Sequence, residues 1–85
     1  MTQLPTTKQL KEAMLAVLRQ FPEGLRTDEI DSKVADQLAL SPEQRTVLRS
    51  GNRTELSYRL AWERTHAKKA GLIERTDART WKIIN

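Results

Sequence analysis

Eighty-five residues, 38% of them apolar and 31% charged, with three glycines and three prolines, describe a single domain spanning residues 1–85, because a chain this short does not divide its core. A multidomain enzyme is excluded. Fifteen Lys and Arg against eleven Asp and Glu leave a net charge of +4 and a pI near 9.9, which suits nucleic acid or an anionic surface as partner.

Cysteine is absent, so there is no disulfide framework, thiolate zinc site or cysteine nucleophile, and a reducing compartment is compatible with the chain. No apolar run approaches the ~20 residues of a membrane span, and Met1 to Leu10 lacks the basic-then-apolar layout of a secretion signal. The expectation is a cytoplasmic chain without a membrane partner. The charge is uneven: residues 1–40 carry five basic and six acidic side chains, residues 41–85 ten and five. Any electrostatic surface therefore belongs to the second half.

Leu10, Ala13, Met14, Val17 and Leu18 fall at helical spacing behind Thr6 or Thr7 as N-cap, which predicts a first helix over about 7–20. Phe21, Pro22 and Gly24 break it. Thr27, followed by Asp28 and Glu29, reads as the N-cap of a second helix whose narrow stripe is Ile30, Val34 and Leu38. Ser41-Pro42-Glu43-Gln44 starts a third, short helix, with Pro42 at its first position and Gln44 closing a capping box, and this helix should end by Ser50-Gly51. Nothing then interrupts a long helix from Arg53 or Thr54 to Ala70, and Gly71 sits where a glycine would terminate it. Leu72 to Arg75 and Thr80 to Ile84 are β-prone runs around Thr76-Asp77-Ala78-Arg79, a hairpin that must pack on the helices to be stable. The expected class is α+β: three main helices, a short inserted one and a C-terminal two-stranded hairpin, the element order of a winged helix-turn-helix.

Projected at about 100° per residue, the long helix places Leu56, Leu60, Ala67 and Ala70 on one side and Tyr58 and Trp62 on an adjoining one. Arg53, Ser57, Ala61, Arg64 and Lys68 share what remains, a basic strip slim enough for a major groove. The alternative for such a strip is an ordinary solvated face with its lysines near the negative end of the helix. Arg75, Arg79 and Lys82 suit phosphates flanking the groove or, equally, protection of a sheet edge. Stacking on bases is open to Trp62 and Trp81, but Trp62 falls within the apolar arc and Trp81 alternates with Lys82 on a strand, so both read as core residues. On this reading Arg64→Ala or Lys68→Ala weakens binding in a folded domain, and Trp62→Ala costs about 3–5 kcal/mol of stability.

Chemistry finds little purchase. His66 is the single histidine, expected to be partly buried beside Trp62, and it has no second soft ligand for a transition metal. Asp31-Ser32-Lys33 has the spacing of a nuclease acid-x-lysine element but falls inside a predicted helix, whereas such sites gather carboxylates around metals. Gly24, Gly51 and Gly71 lie at element ends and form no phosphate loop. The expectation is a non-enzyme with no metal and no cofactor.

Tyr58-Arg59-Leu60-Ala61-Trp62 followed by Lys68-Lys69-Ala70-Gly71-Leu72-Ile73-Glu74 resembles the N-terminal domain of Mrr-type restriction proteins. The likeness extends to Leu4-Pro5, Asp28-Glu29-Ile30, Leu40-Ser41 with Glu43 and Arg45, and Ser50-Gly51, and so covers nearly the whole chain. It implies a winged-helix domain that binds double-stranded DNA, usually fused to a metal-dependent nuclease domain that cuts modified DNA. By position, the long helix becomes the recognition helix with Arg53, Ser57, Arg64 and Lys68 outward, Trp62 a core residue, and Arg75 to Lys82 the wing. Three departures stand out: Ala78-Arg79 replaces the usual glycine at the hairpin tip, Ala67 replaces a larger apolar residue, and the nuclease domain is missing. An excised domain and a stand-alone binder both fit that last point, as do a homodimer and an associated nuclease. A protein-interaction winged helix without specific DNA readout is the alternative function, motivated by the acidic first half and the missing wing glycine.

Overall fold

The structure, a computed structural model, describes residues 3–77 and 79–84, with Ser50 described by its backbone alone. Helix α1 (Thr7–Gln20) starts at Thr6, whose Oγ1 accepts from Gln9 N at 3.2 Å while Gln9 Oε1 accepts from Thr6 N at 2.9 Å. These bonds satisfy two backbone donors that a helix start otherwise leaves open. A short strand β1 (Leu25–Arg26) leads into α2 (Thr27–Gln37). The expectation of Thr27 as N-cap is corrected here, since Arg26 takes that position and its N–H donates to Glu29 Oε1 at 3.0 Å. Thr27 is drawn instead to the hairpin, its N–H and hydroxyl donating to the Arg79 carbonyl at 2.9 and 3.2 Å.

Helix α3 (Pro42–Thr46) has the expected capping box, Ser41 Oγ accepting from Gln44 N at 3.1 Å and Gln44 Oε1 from Ser41 N at 2.8 Å. It ends earlier than its sequence suggests, because Leu48–Ser50 (β2) turns back on Arg53–Thr54 (β3) in a small antiparallel ribbon. Helix α4 (Glu55–Lys69) is capped by Thr54, whose Oγ1 accepts from Ser57 N at 3.1 Å. Its end is a Schellman arrangement: Gly71 N donates to Lys68 O at 3.1 Å, Leu72 N donates to Ala67 O at 3.0 Å, and Gly71 takes the left-handed φ of +77° that the motif needs. Strands β4 (Ile73–Arg75) and β5 (Thr80–Ile83) complete the chain.

The main sheet is antiparallel in the order β1-β5-β4, with Leu25 opposite Trp81 and Ile73 opposite Ile83. A chain of mixed helix and strand with a small antiparallel sheet is the result. Gly24 carries a φ of +104°, and a Cβ there would stand 3.1 Å from both the Trp81 carbonyl and Thr80 Cγ2, so it lets the chain pass close under β5 on its way into β1. Leu25, Ile73, Trp81 and Ile83 turn inward to join Leu10, Met14, Leu18, Ile30, Val34 and Leu60 in one core. Trp81 is thus buried as expected. Leu38 is only partly buried, and Ala35 fills the α2 stripe in its place.

Candidate nucleic-acid interface

The side chains that α4 buries are Leu56, Leu60, Glu63, Arg64 and Ala67. This set keeps the expected Leu56, Leu60 and Ala67 and adds Glu63 and Arg64, so the buried face is wider than expected and reaches into the basic strip. Two corrections follow. Arg64, expected outward, is 6% exposed, and its Nη1 donates to Asp31 Oδ1 at 2.9 Å. Trp62, expected in the core, is 50% exposed. Ala70 is exposed as well.

The arc left open on α4 runs from Ser57 through Tyr58, Ala61, Trp62 and Thr65 to Lys68 and Lys69. It presents no free acid. Glu63 is buried, and Glu55 Oε1 is held by Arg59 Nε at 3.2 Å and Arg49 Nη1 at 3.5 Å. Tyr58 meets Trp62 edge to face at 6.5 Å, a favoured geometry for aromatic pairs, and His66 lies tilted 5.9 Å beyond Trp62. His66, expected to be partly buried, is exposed. Guanidinium groups of Arg49 and Arg53 lie 4.1 and 5.4 Å from the Tyr58 ring centre, within cation–π range.

Three open clefts border this arc. The first, about 520 Å³, lies between the start of α2, the first turns of α4 and the hairpin, and is lined by Arg26, Thr27, Asp28, Asp31, Ser57 and Arg79. The second, about 440 Å³, is walled by Thr65, Lys68, Lys69 and Arg75 against Trp81. The third, about 240 Å³, has Arg53, Tyr58, Ala61, Trp62 and Thr65 around it. The expected site residues therefore separate into Ser57 with Arg79, Lys68 with Arg75, and Arg53 with the two aromatics. Arg64 stays beneath the surface. Lys82 is half-buried, with its Nζ 3.8 Å from Glu74 Oε1.

Arg75 stacks 5.9 Å from the Trp81 ring, and its Nε donates to the Asp77 carbonyl at 3.1 Å. At the hairpin tip, where Ala78 lies outside the described residues, Asp77 Oδ1 accepts from Arg79 N at 2.9 Å and Thr80 N at 3.0 Å. These bonds are those of an Asx-type turn, in which an Asp side chain accepts from the backbone two residues on. The backbone donors, that of Arg79 first, hold the Asp77 carboxyl below its ordinary range. Asp31 moves the other way. Burial pushes its carboxyl up, with Arg64 and the Ser57 hydroxyl partly offsetting the effect.

The Asp31-Ser32-Lys33 spacing dissolves into two unrelated contacts, since Asp31 faces Arg64 and Lys33 Nζ sits 4.5 Å over the Phe21 ring. Among the described residues no three His, Asp or Glu side chains come together as a metal site. No helix among those residues is long and apolar enough to cross a membrane.

Tyr58, Trp62, Thr65 and Lys69 were not singled out together by the sequence reading, although their spacing of i, i+4, i+7 and i+11 marks a single helical face. The model of the Mrr N-terminal domain matches residues 8–85. The chain belongs to that family, a domain family of restriction systems. No match was found among curated proteins or among solved structures.

Proposed function

We propose that the chain is a winged helix-turn-helix domain that binds double-stranded DNA, with α2 and α4 as the paired helices, β4 and β5 as the wing, and no catalytic step of its own. The element order supports this, as does the way β1 ties the start of α2 to the hairpin. The observation that carries it is the open arc of α4, free of unpaired acid and bordered by Lys68, Lys69, Arg75 and Arg79. In this arrangement α4 lies in the major groove, and the clefts on its flanks receive the phosphates of the adjoining strands.

Binding that neutralises about four phosphates weakens roughly 150-fold between 50 and 200 mM salt, by the slope of about −0.9 per contact. Duplex titrations across that range test the reading. A flat salt dependence, or no binding at low salt, overturns it.

A further inference from the structure

The open arc of α4 carries few side chains that read base edges in a paired duplex, its long donors, Lys68 and Lys69, standing together at its C-terminal end. Direct readout relies chiefly on Arg, Lys, Asn and Gln, which make two hydrogen bonds to one base. No Asn or Gln occurs in α4, and its two arginines are engaged, Arg64 with Asp31 and Arg59 with Glu55 and the Pro5 carbonyl. What the arc offers instead is a half-exposed indole. Tyr58 and His66 flank it, and small residues, Ala61 and Thr65, leave a cleft of about 240 Å³ at its side that Arg53 overhangs.

We infer that this cleft takes an unpaired nucleobase, stacked on Trp62, with its phosphate held by Arg53. In a continuous duplex each base has its faces covered by its neighbours, so an indole ring reaches a base face only where pairing is interrupted. Stacking plus a nearby cation is the combination by which proteins hold single-stranded nucleic acid. The inference rests on the DNA-binding reading above. It adds that the domain prefers DNA carrying an extruded or unpaired base over the same sequence fully paired.

Three short duplexes separate the outcomes: fully paired, with one extra unpaired thymine, and with an abasic residue at that place. Affinities are read from the anisotropy of end-labelled duplexes, which needs neither tryptophan, and because Trp81 is 9% exposed, fluorescence quenching in the unsubstituted protein reports on Trp62. The bulged thymine binds roughly 5- to 150-fold more tightly than the abasic control, the range expected for one stacked base. Trp62→Ala removes that difference while the melting curve stays cooperative, and Trp62→Phe keeps most of it. Equal affinity for the bulged and abasic duplexes overturns the inference and leaves paired-duplex binding standing. Failure of every duplex to bind at low salt overturns both. A dimer that forms without DNA and is lost in Trp62→Ala would assign this face to a second copy of the chain, and would also overturn the inference.

Discussion

Arg64 and Trp62 exchange the roles that their chemistry suggests. A charged side chain is assumed to face water and an indole to seek the core, and both defaults fail because only Leu56, Leu60 and Ala67 mark the apolar face of α4. With so few apolar positions the edges of that face go unmarked, and Trp62, about 120–160° round the helix from all three, lies on its far side. The structure instead buries Arg64 against an acid 33 positions away in sequence, on α2, a pairing that no local pattern announces. Removing one partner of a buried ion pair leaves the other charged and desolvated, at a cost of roughly 3–5 kcal/mol. Asp31→Ala, which leaves the buried Arg64 guanidinium unpaired, therefore lowers the urea midpoint severely in a chain this small, and replacing Asp31 and Arg64 together by apolar residues of similar size recovers much of the loss. Trp62→Ala, at a half-exposed position that keeps part of its ring against Tyr58 and His66, costs less, about 1–2 kcal/mol. If urea titration ranks these two variants the other way round, the burial of Arg64 and the exposure of Trp62 are both overturned. Ala39 makes a separate point. It ends α2 in a Schellman arrangement with φ +52°, its N–H donating to Asp36 O and that of Leu40 to Ala35 O, both at 3.0 Å. An L-residue there costs about 1–2 kcal/mol, which exceeds the extra backbone entropy of glycine. Ala39→Gly thus raises the midpoint by an amount equivalent to about 0.5–1 kcal/mol, measurable in the same titration.

At the scale of elements, caps were the most legible signals. The Thr6 cap, the Ser41 box and the Gly71 stop are local, made within a few residues, and the structure keeps them. Thr27 carried an equally good signal and lost it, because the Arg79 carbonyl, 52 positions on, claims both its donors. Strands β1, β2 and β3 were missed for a related reason. Each has only two or three residues, too short to show alternation, and β1 exists because β5 is beside it. The hairpin tip depends on the ionised Asp77 carboxylate. Its folded-state pKa is depressed, so the stability it contributes is present above the ordinary carboxylate value and is lost as pH falls through the lower folded value. Asp31 has the opposite sign, because its raised pKa means that stability declines as pH rises from the ordinary value through the folded one. Carboxyl NMR titration checks both, with the Asp77 midpoint below 3.8 and that of Asp31 above it. Asp77→Ala lowers the protection of the Arg79 and Thr80 amides against exchange at neutral pH, and in that variant the loss of protection on acidification, measured relative to the intrinsic rate, disappears.

For the whole molecule the net charge of +4 matters less than its distribution. Lys68, Lys69, Arg75 and Arg79 border the clefts beside α4, whereas Lys8 and Arg19 sit on α1, outside all three clefts around that helix. These placements separate a built interface from a diffuse cationic cloud. A cloud attracts DNA through total charge, so every lysine or arginine removed would flatten the salt dependence by a similar amount. A built interface releases counterions only where side chain and phosphate meet. Lys68→Ala, Lys69→Ala and Arg79→Ala should then each reduce the slope of log affinity against log salt by about 0.9, while Lys8→Ala and Arg19→Ala leave it unchanged. Arg59→Ala belongs with the second group, because its guanidinium is held by Glu55 and the Pro5 carbonyl. Affinities of all six variants on one duplex at several salt concentrations decide the matter, and equal flattening in both groups would dissolve the proposed interface into the charge of the domain as a whole.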